Sequence, residues 1–96
     1  MSINIEGTMK VYTVKAYRAL ILDEIEEYDA VIHFLSNEIK KKPEDVILLN
    51  NRSIAFSEIG KFSESLEDIT RAYEIDPENE TVKRNLDSLR KHLENS

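Results

Sequence analysis

The chain contains no cysteine, and only two glycines and two prolines punctuate its 96 residues. Without cysteine there is no disulfide staple, no thiolate metal site and no cysteine nucleophile. Basic residues are in deficit as well: 13 Lys and Arg against 19 Asp and Glu give a net charge of -6. That balance argues against nucleic acid as a ligand, because phosphate binding needs a cationic surface that releases counterions. No apolar run approaches the roughly eighteen residues needed to cross a bilayer. The opening residues, Met1-Ser2-Ile3-Asn4-Ile5-Glu6-Gly7, carry neither a basic region nor a signal-length apolar stretch. A cytoplasmic protein is the expectation. Catalytic signatures are missing too: no Ser/His/Asp spacing, glycine-rich phosphate loop or HExxH-type motif occurs. His33 and His92 stand far apart and without partner motifs, as ordinary surface or boundary histidines do. Neither an enzyme nor a cofactor or metal site is expected.

What is present is periodic. Pro43 and Pro77 stand 34 residues apart, and each is followed by glutamate. The same shift pairs Val14 with Leu48, Arg18 with Arg52, Leu20 with Ile54, Leu22 with Phe56 and Ile25 with Ile59. It also pairs Tyr28 with Phe62, Ile32 with Leu66, Leu35 with Ile69 and Ile39 with Tyr73. A match sustained over a whole window marks a repeat array. With 41% apolar residues and one third charged, the chain suits one folded domain near the lower size limit for a single core.

Within each unit the apolar spacing is helical. Leu48, Ala55, Phe56 and Ile59 mark one amphipathic stretch; Phe62, Leu66, Ile69, Ala72 and Tyr73 mark the next. Gly60 between them suits the left-handed conformation that ends a helix, and Ser63 is placed to cap the next. Asp76-Pro77 reads as a helix opening. Lys40, Lys41 and Lys42 at one helix end agree with the helix dipole, as do Glu44 and Asp45 at the next start. The reading is all-α with about five helices, near residues 8–26, 28–41, 44–59, 62–75 and 77–94, in a single domain. Residues 1–7 form an arm, 8–43 a divergent first repeat, 44–77 a second, and 78–96 a capping helix and tail. In the last helix Val82, Leu86, Leu89 and Leu93 make one narrow stripe, as a terminal helix of a stack requires. Helix 1 is apolar on too many sides for one stripe, so an arm, a partner or a second copy should cover it.

The run Leu48-Leu49-Asn50-Asn51-Arg52-Ser53-Ile54-Ala55-Phe56-Ser57-Glu58-Ile59-Gly60-Lys61-Phe62, continued by Ala72-Tyr73-Glu74-Ile75-Asp76-Pro77, resembles a tetratricopeptide repeat. Ser53, Phe56, Gly60, Phe62, Ala72 and Pro77 fill that family's signature of small and aromatic positions. Residues 12–45 resemble it more loosely through Ala19, Leu22, Tyr28, Leu35 and Pro43, and residues 80–94 resemble its capping helix. The resemblance implies a right-handed superhelical solenoid of antiparallel helix pairs whose concave groove binds a peptide or helix of another protein. The groove residues it implies are Tyr17, Leu20, Asp23 and Glu24 from helix 1, with Ile47, Asn50, Asn51, Ile54 and Glu58 from helix 3. Arg84 and Asn85 of the last helix complete the set.

The first unit departs from the family pattern. Glu26 stands at the inter-helix turn where glycine is usual, and Glu38 where a small residue packs between helices. Burying Glu38 unpaired would cost several kcal/mol, roughly, so the first unit is splayed or re-registered, or Glu38 faces solvent. Arg18 and Arg52 occupy a slot usually filled by leucine; their stems can pack while the guanidinium reaches an acidic side chain. The subgroup that grips chaperone carboxylate tails is disfavoured, because only Asn51 matches and the cations are replaced by Ala16, Thr81 and Asn85. Asp23-Glu24-Ile25-Glu26-Glu27 reads first as a solvated helix end; because it would oppose the dipole at a helix C-terminus, the alternative is an acidic groove edge formed with Glu58.

The expected function is thus a non-catalytic adaptor or scaffold module that binds another protein, with a basic segment among the candidate partners. The alternatives are a small acidic inhibitor or immunity-type protein neutralising a basic enzyme, and a structural homodimer joined through helix 1.

Overall fold

The computed structural model describes residues 14–95, with side chains from residue 24 onward. These residues are helical, with no strand among them: α1 spans Val14–Lys41, α2 Val46–Glu58, α3 Phe62–Ile75 and α4 Glu80–Glu94. The arm at residues 1–7 and the expected helix start at residue 8 lie outside the described residues. Each helix packs on the next in sequence, α1 on α2, α2 on α3 and α3 on α4.

Two of the three connections are built alike, one repeat apart. Asp45 N–H donates to the Lys42 carbonyl and Asn79 N–H to the Asp76 carbonyl, closing turns with Pro43 and Pro77 at their second positions. Proline presets φ there. The residue that closes each turn then caps the following helix: Asp45 accepts from Leu48 N–H and Asn79 from Val82 N–H, both at 3.1 Å. This corrects the expected openings. Pro43-Glu44 and Asp76-Pro77 belong to the turns, so α2 begins at Val46 and α4 at Glu80. Ser63 is not a cap either; it lies inside α3, whose N-cap position is Lys61 with no side-chain bond.

The third connection follows the glycine. Gly60 adopts φ +81, a left-handed conformation in which a side chain would be strained, and Gly60 and Lys61 N–H close on the Ser57 and Phe56 carbonyls. One repeat earlier the corresponding residue is Glu26. There the backbone does not turn: α1 runs unbroken through 26–28, so the described residues hold four helices where five were expected. Glutamate pays the steric penalty of left-handed backbone, about 1–2 kcal/mol, but is a good helix former. Neither glycine nor proline interrupts the run from Asp23 to Ala30. Continuity also removes the dipole conflict of the acidic cluster, because Glu24, Glu26 and Glu27 now lie in mid-helix.

The core gathers between α1, α2, α3 and α4, from Ile39, Leu49, Ile69, Ala72, Val82, Leu86 and Leu89, with Phe62, Leu66 and Leu93 packed against it. Ile69 and Ala72 are wholly buried. α4 buries Val82, Leu86 and Leu89 and exposes Arg84, Asp87 and Arg90, the one-sided stripe its sequence predicts. Glu38 is about one third exposed and pairs with Lys41 at 3.4 Å, so its carboxylate escapes burial.

Candidate interaction surface

α2 and α3 meet through two serines. Ser53 Oγ donates to the Ser65 carbonyl at 2.8 Å and Ser65 Oγ to the Ser53 carbonyl at 2.7 Å, with the hydroxyls 2.9 Å apart. Both residues are buried, and only side chains this small let two helix backbones approach so closely while each buried hydroxyl stays satisfied. Beside them Arg52 Nε and Nη2 donate to the two Asp68 oxygens at 2.7 and 2.8 Å. Its Nη1 reaches Ser36 Oγ on α1 at 3.0 Å, and the guanidinium lies 5.7 Å from the Phe56 ring centre. One arginine therefore ties three helices together, its stem packed and its head on a carboxylate as the sequence suggests. The paired arginine of the first unit, Arg18, lies outside the described side chains.

The hydrogen bond to Asp68 raises the Arg52 pKa above its ordinary value, against the opposing effect of burial and helped by the carboxylate's charge. Arg52 thus holds its proton more tightly folded than unfolded. Its contribution to stability is complete below the unfolded pKa and is lost only as pH rises through the higher folded one. Neutral and mildly alkaline pH lie wholly within the stable window for this group.

The expected groove residues fall into separate groups. Asn50 and Asn85 spend polarity on each other, with Asn85 Nδ2 donating to Asn50 Oδ1 at 2.8 Å, which bridges α2 to α4. Next to them Ile47 is 69% exposed, above a small cavity shared with Val46, Asn50 and Val82. Asn51 lines a cleft with α1, and Ile54 lines both that cleft and the cavity that Asn85 shares with α3. Glu24 and Glu58 both line a cavity of about 240 Å³ together with Ile25, Tyr28 and Ile59. Arg84 is exposed on α4. The side chains of Tyr17, Leu20 and Asp23 lie outside the described set.

The sequence reading missed an apolar cleft between α1 and α2. Tyr28, Val31, Phe34 and Leu35 of α1 face Asn51, Ile54 and Ala55 of α2 across an open cleft of about 610 Å³. Phe34 is 62% exposed, Val31 46% and Ile54 42%. The signal was available in the repeat register, since Phe34 corresponds to Asp68, the partner of Arg52. An aromatic replaces a carboxylate at the same place, which changes what the site can receive.

A second cavity, about 340 Å³, sits one unit later between α2, α3 and α4, lined in part by Phe62, Ser65, Asn85, Ser88 and Leu89. Moved back by one repeat these become Tyr28, Val31, Asn51, Ile54 and Ala55, five residues of the larger cleft. The smaller cavity has a further wall, Ser53, Ile54 and Ser57 of α2. The corresponding residues of the first unit are Ala19, Leu20 and Asp23, which belong to the N-terminal part of the continuous α1.

Among the described residues no three His, Asp or Glu side chains gather as a metal site would require, and no helix is long and apolar enough to cross a membrane. His33 lies 3.5 Å from Asn37 at the surface, and His92 packs its ring on Phe62 at 4.8 Å. Compared with known proteins, the chain matches no family model, no curated sequence and no solved structure.

Proposed function

We propose that the chain is a non-catalytic protein-interaction module of tetratricopeptide-like design, an adaptor or scaffold that takes an amphipathic helix of another polypeptide. The observation that carries this reading is the cleft between α1 and α2, with Val31, Phe34 and Ile54 left open to solvent. Each large apolar side chain moved out of water contributes about 1.5–3 kcal/mol when fully covered. Three such groups on one strip, with the amide of Asn51 to fix orientation, make a helix-in-groove site in which apolar anchors supply affinity. The 34-residue period, the serine contact and the shared proline turns support the repeat design, and a cytoplasmic setting fits it.

The test is affinity capture from native extract with the wild-type chain and with a Phe34→Asp/Ile54→Asp variant. Loss of capture with an unchanged far-ultraviolet circular dichroism spectrum is expected. Capture that survives both charges removes the cleft from consideration.

A second reading, a small acidic inhibitor or immunity-type protein, draws on Glu24 and Glu58 lining one cavity with Ile25. It requires an association rate that falls steeply with salt, whereas a salt-indifferent rate would leave it without support.

A further inference from the structure

The cleft has the outline of a site with one helix missing, and the internal repeat says which helix. In the second unit, α2 packs on α3 by the Ser53–Ser65 contact and the Arg52–Asp68 pair. The first-unit positions of those residues are Ala19 and Val31, and Arg18 and Phe34. Val31 and Phe34 are two of the exposed side chains of the cleft. Ala19 and Arg18 belong to Val14–Ile25, the stretch that matches Leu48–Ile59 in apolar pattern.

That stretch cannot reach the cleft of its own chain while α1 is straight. At 1.5 Å per residue, positions 19 and 31 of a continuous helix stand about 18 Å apart along its axis. Folding back would need a left-handed turn residue, which Gly60 supplies in the second unit and Glu26 does not. A hinge that prefers helix to turn leaves the matching segment available to a neighbour, the circumstance in which exchange of identical elements makes a dimer at low cost.

We infer that the chain forms a reciprocal dimer in which the N-terminal half of α1, Val14–Ile25, of each copy fills the α1–α2 cleft of the other. This rests on the reading of the cleft as a helix-binding site and names a second copy as its occupant. In the register of the second unit, position 19 then meets position 31 and position 18 meets position 34, with alanine and valine in place of two serines and phenylalanine in place of the carboxylate partner of an arginine.

The absence of cysteine makes the test direct. In the otherwise cysteine-free chain, an Ala19→Cys/Val31→Cys variant is oxidised mildly and run on a non-reducing gel, with the disulfides mapped by mass spectrometry. The second-unit hydroxyls, 2.9 Å apart, show that paired side chains at these positions come within bonding range. A covalent dimer linked 19 to 31 between copies is expected, together with sedimentation of the wild-type chain as a dimer at micromolar concentration. Glu26→Gly, which permits the turn, is expected to shift the wild-type dimer toward monomer by tenfold or more in dissociation constant. A monomer with an intrachain 19–31 disulfide overturns the exchange, as does a strict monomer with free thiols, or a dimer that never links these positions. In any of those cases the cleft still stands as a binding site for a foreign helix if Phe34→Asp/Ile54→Asp abolishes capture, and falls separately if it does not.

Discussion

The two repeats of this chain share an apolar pattern and end in the same proline turn, yet one folds into a helical hairpin and the other into a single 28-residue helix. Three of the differences between the repeats bear on this outcome. Gly60 becomes Glu26, Ser65 becomes Val31, and Asp68 becomes Phe34. The first decides whether the backbone can turn, the second how closely two helices approach, and the third whether a carboxylate is there to hold an arginine. Repeat pattern sets where helices can lie; a few residues at the turn and the contact decide whether they pair within one chain.

The largest effect should come from the ion pair. Asp68→Ala leaves a guanidinium only about one fifth exposed beside an empty pocket, and should cost about 3 kcal/mol in urea unfolding. At the corresponding position Phe34→Ala should cost less than about 0.5 kcal/mol in the monomer, since Phe34 is mostly exposed. Equal losses at both sites would erase the distinction.

Next is the serine contact. Ser65→Leu forces apart helices joined by hydroxyls 2.9 Å from each other and should cost about 1–3 kcal/mol. Val31→Leu, on the open cleft, should be close to neutral by the same assay.

The turn comes third. Gly60→Ala places a side chain at φ +81 and should destabilise by about 1–2 kcal/mol, although nothing lies within 4 Å to clash with it. A loss near zero would mean that the hairpin does not depend on that conformation, and the account of Glu26 would fail with it. Smallest are the caps. Asp45→Ala and Asn79→Ala each remove one acceptor for a helix amide and should cost about 1 kcal/mol apiece; because the two turns match, their costs should agree within experimental scatter.

Much of this was legible in the sequence. The apolar spacing located α3, the one-sided stripe of α4 and the helical character of the rest, and Gly60 marked the turn it occupies. The starts of α2 and α4 were misplaced by two and three residues, because a proline can open a helix or sit second in a turn with equal local fitness. Only the Asp45 and Asn79 bonds to the third residue onward decide between those. Glu26 was recognised as foreign to a turn, but the repeat pattern suggested a distorted hairpin rather than none. The cleft was hidden for the same reason, since a folded-back first helix would have covered Val31 and Phe34. Arg52 was legible in kind, and its partners Asp68 and Ser36 were not, because they come from two other helices.

The continuity of α1 through residues 26–28 carries the account, and an intrachain distance measures it. Spin labels at Lys15→Cys and Asn37→Cys, in chains diluted with unlabelled protein, report only the separation within one copy. A continuous helix places these backbone positions about 33 Å apart, whereas a hairpin turning at residue 26 would bring them to about 10 Å, the spacing of packed helices. The long distance is the predicted result; the short one would contradict the account.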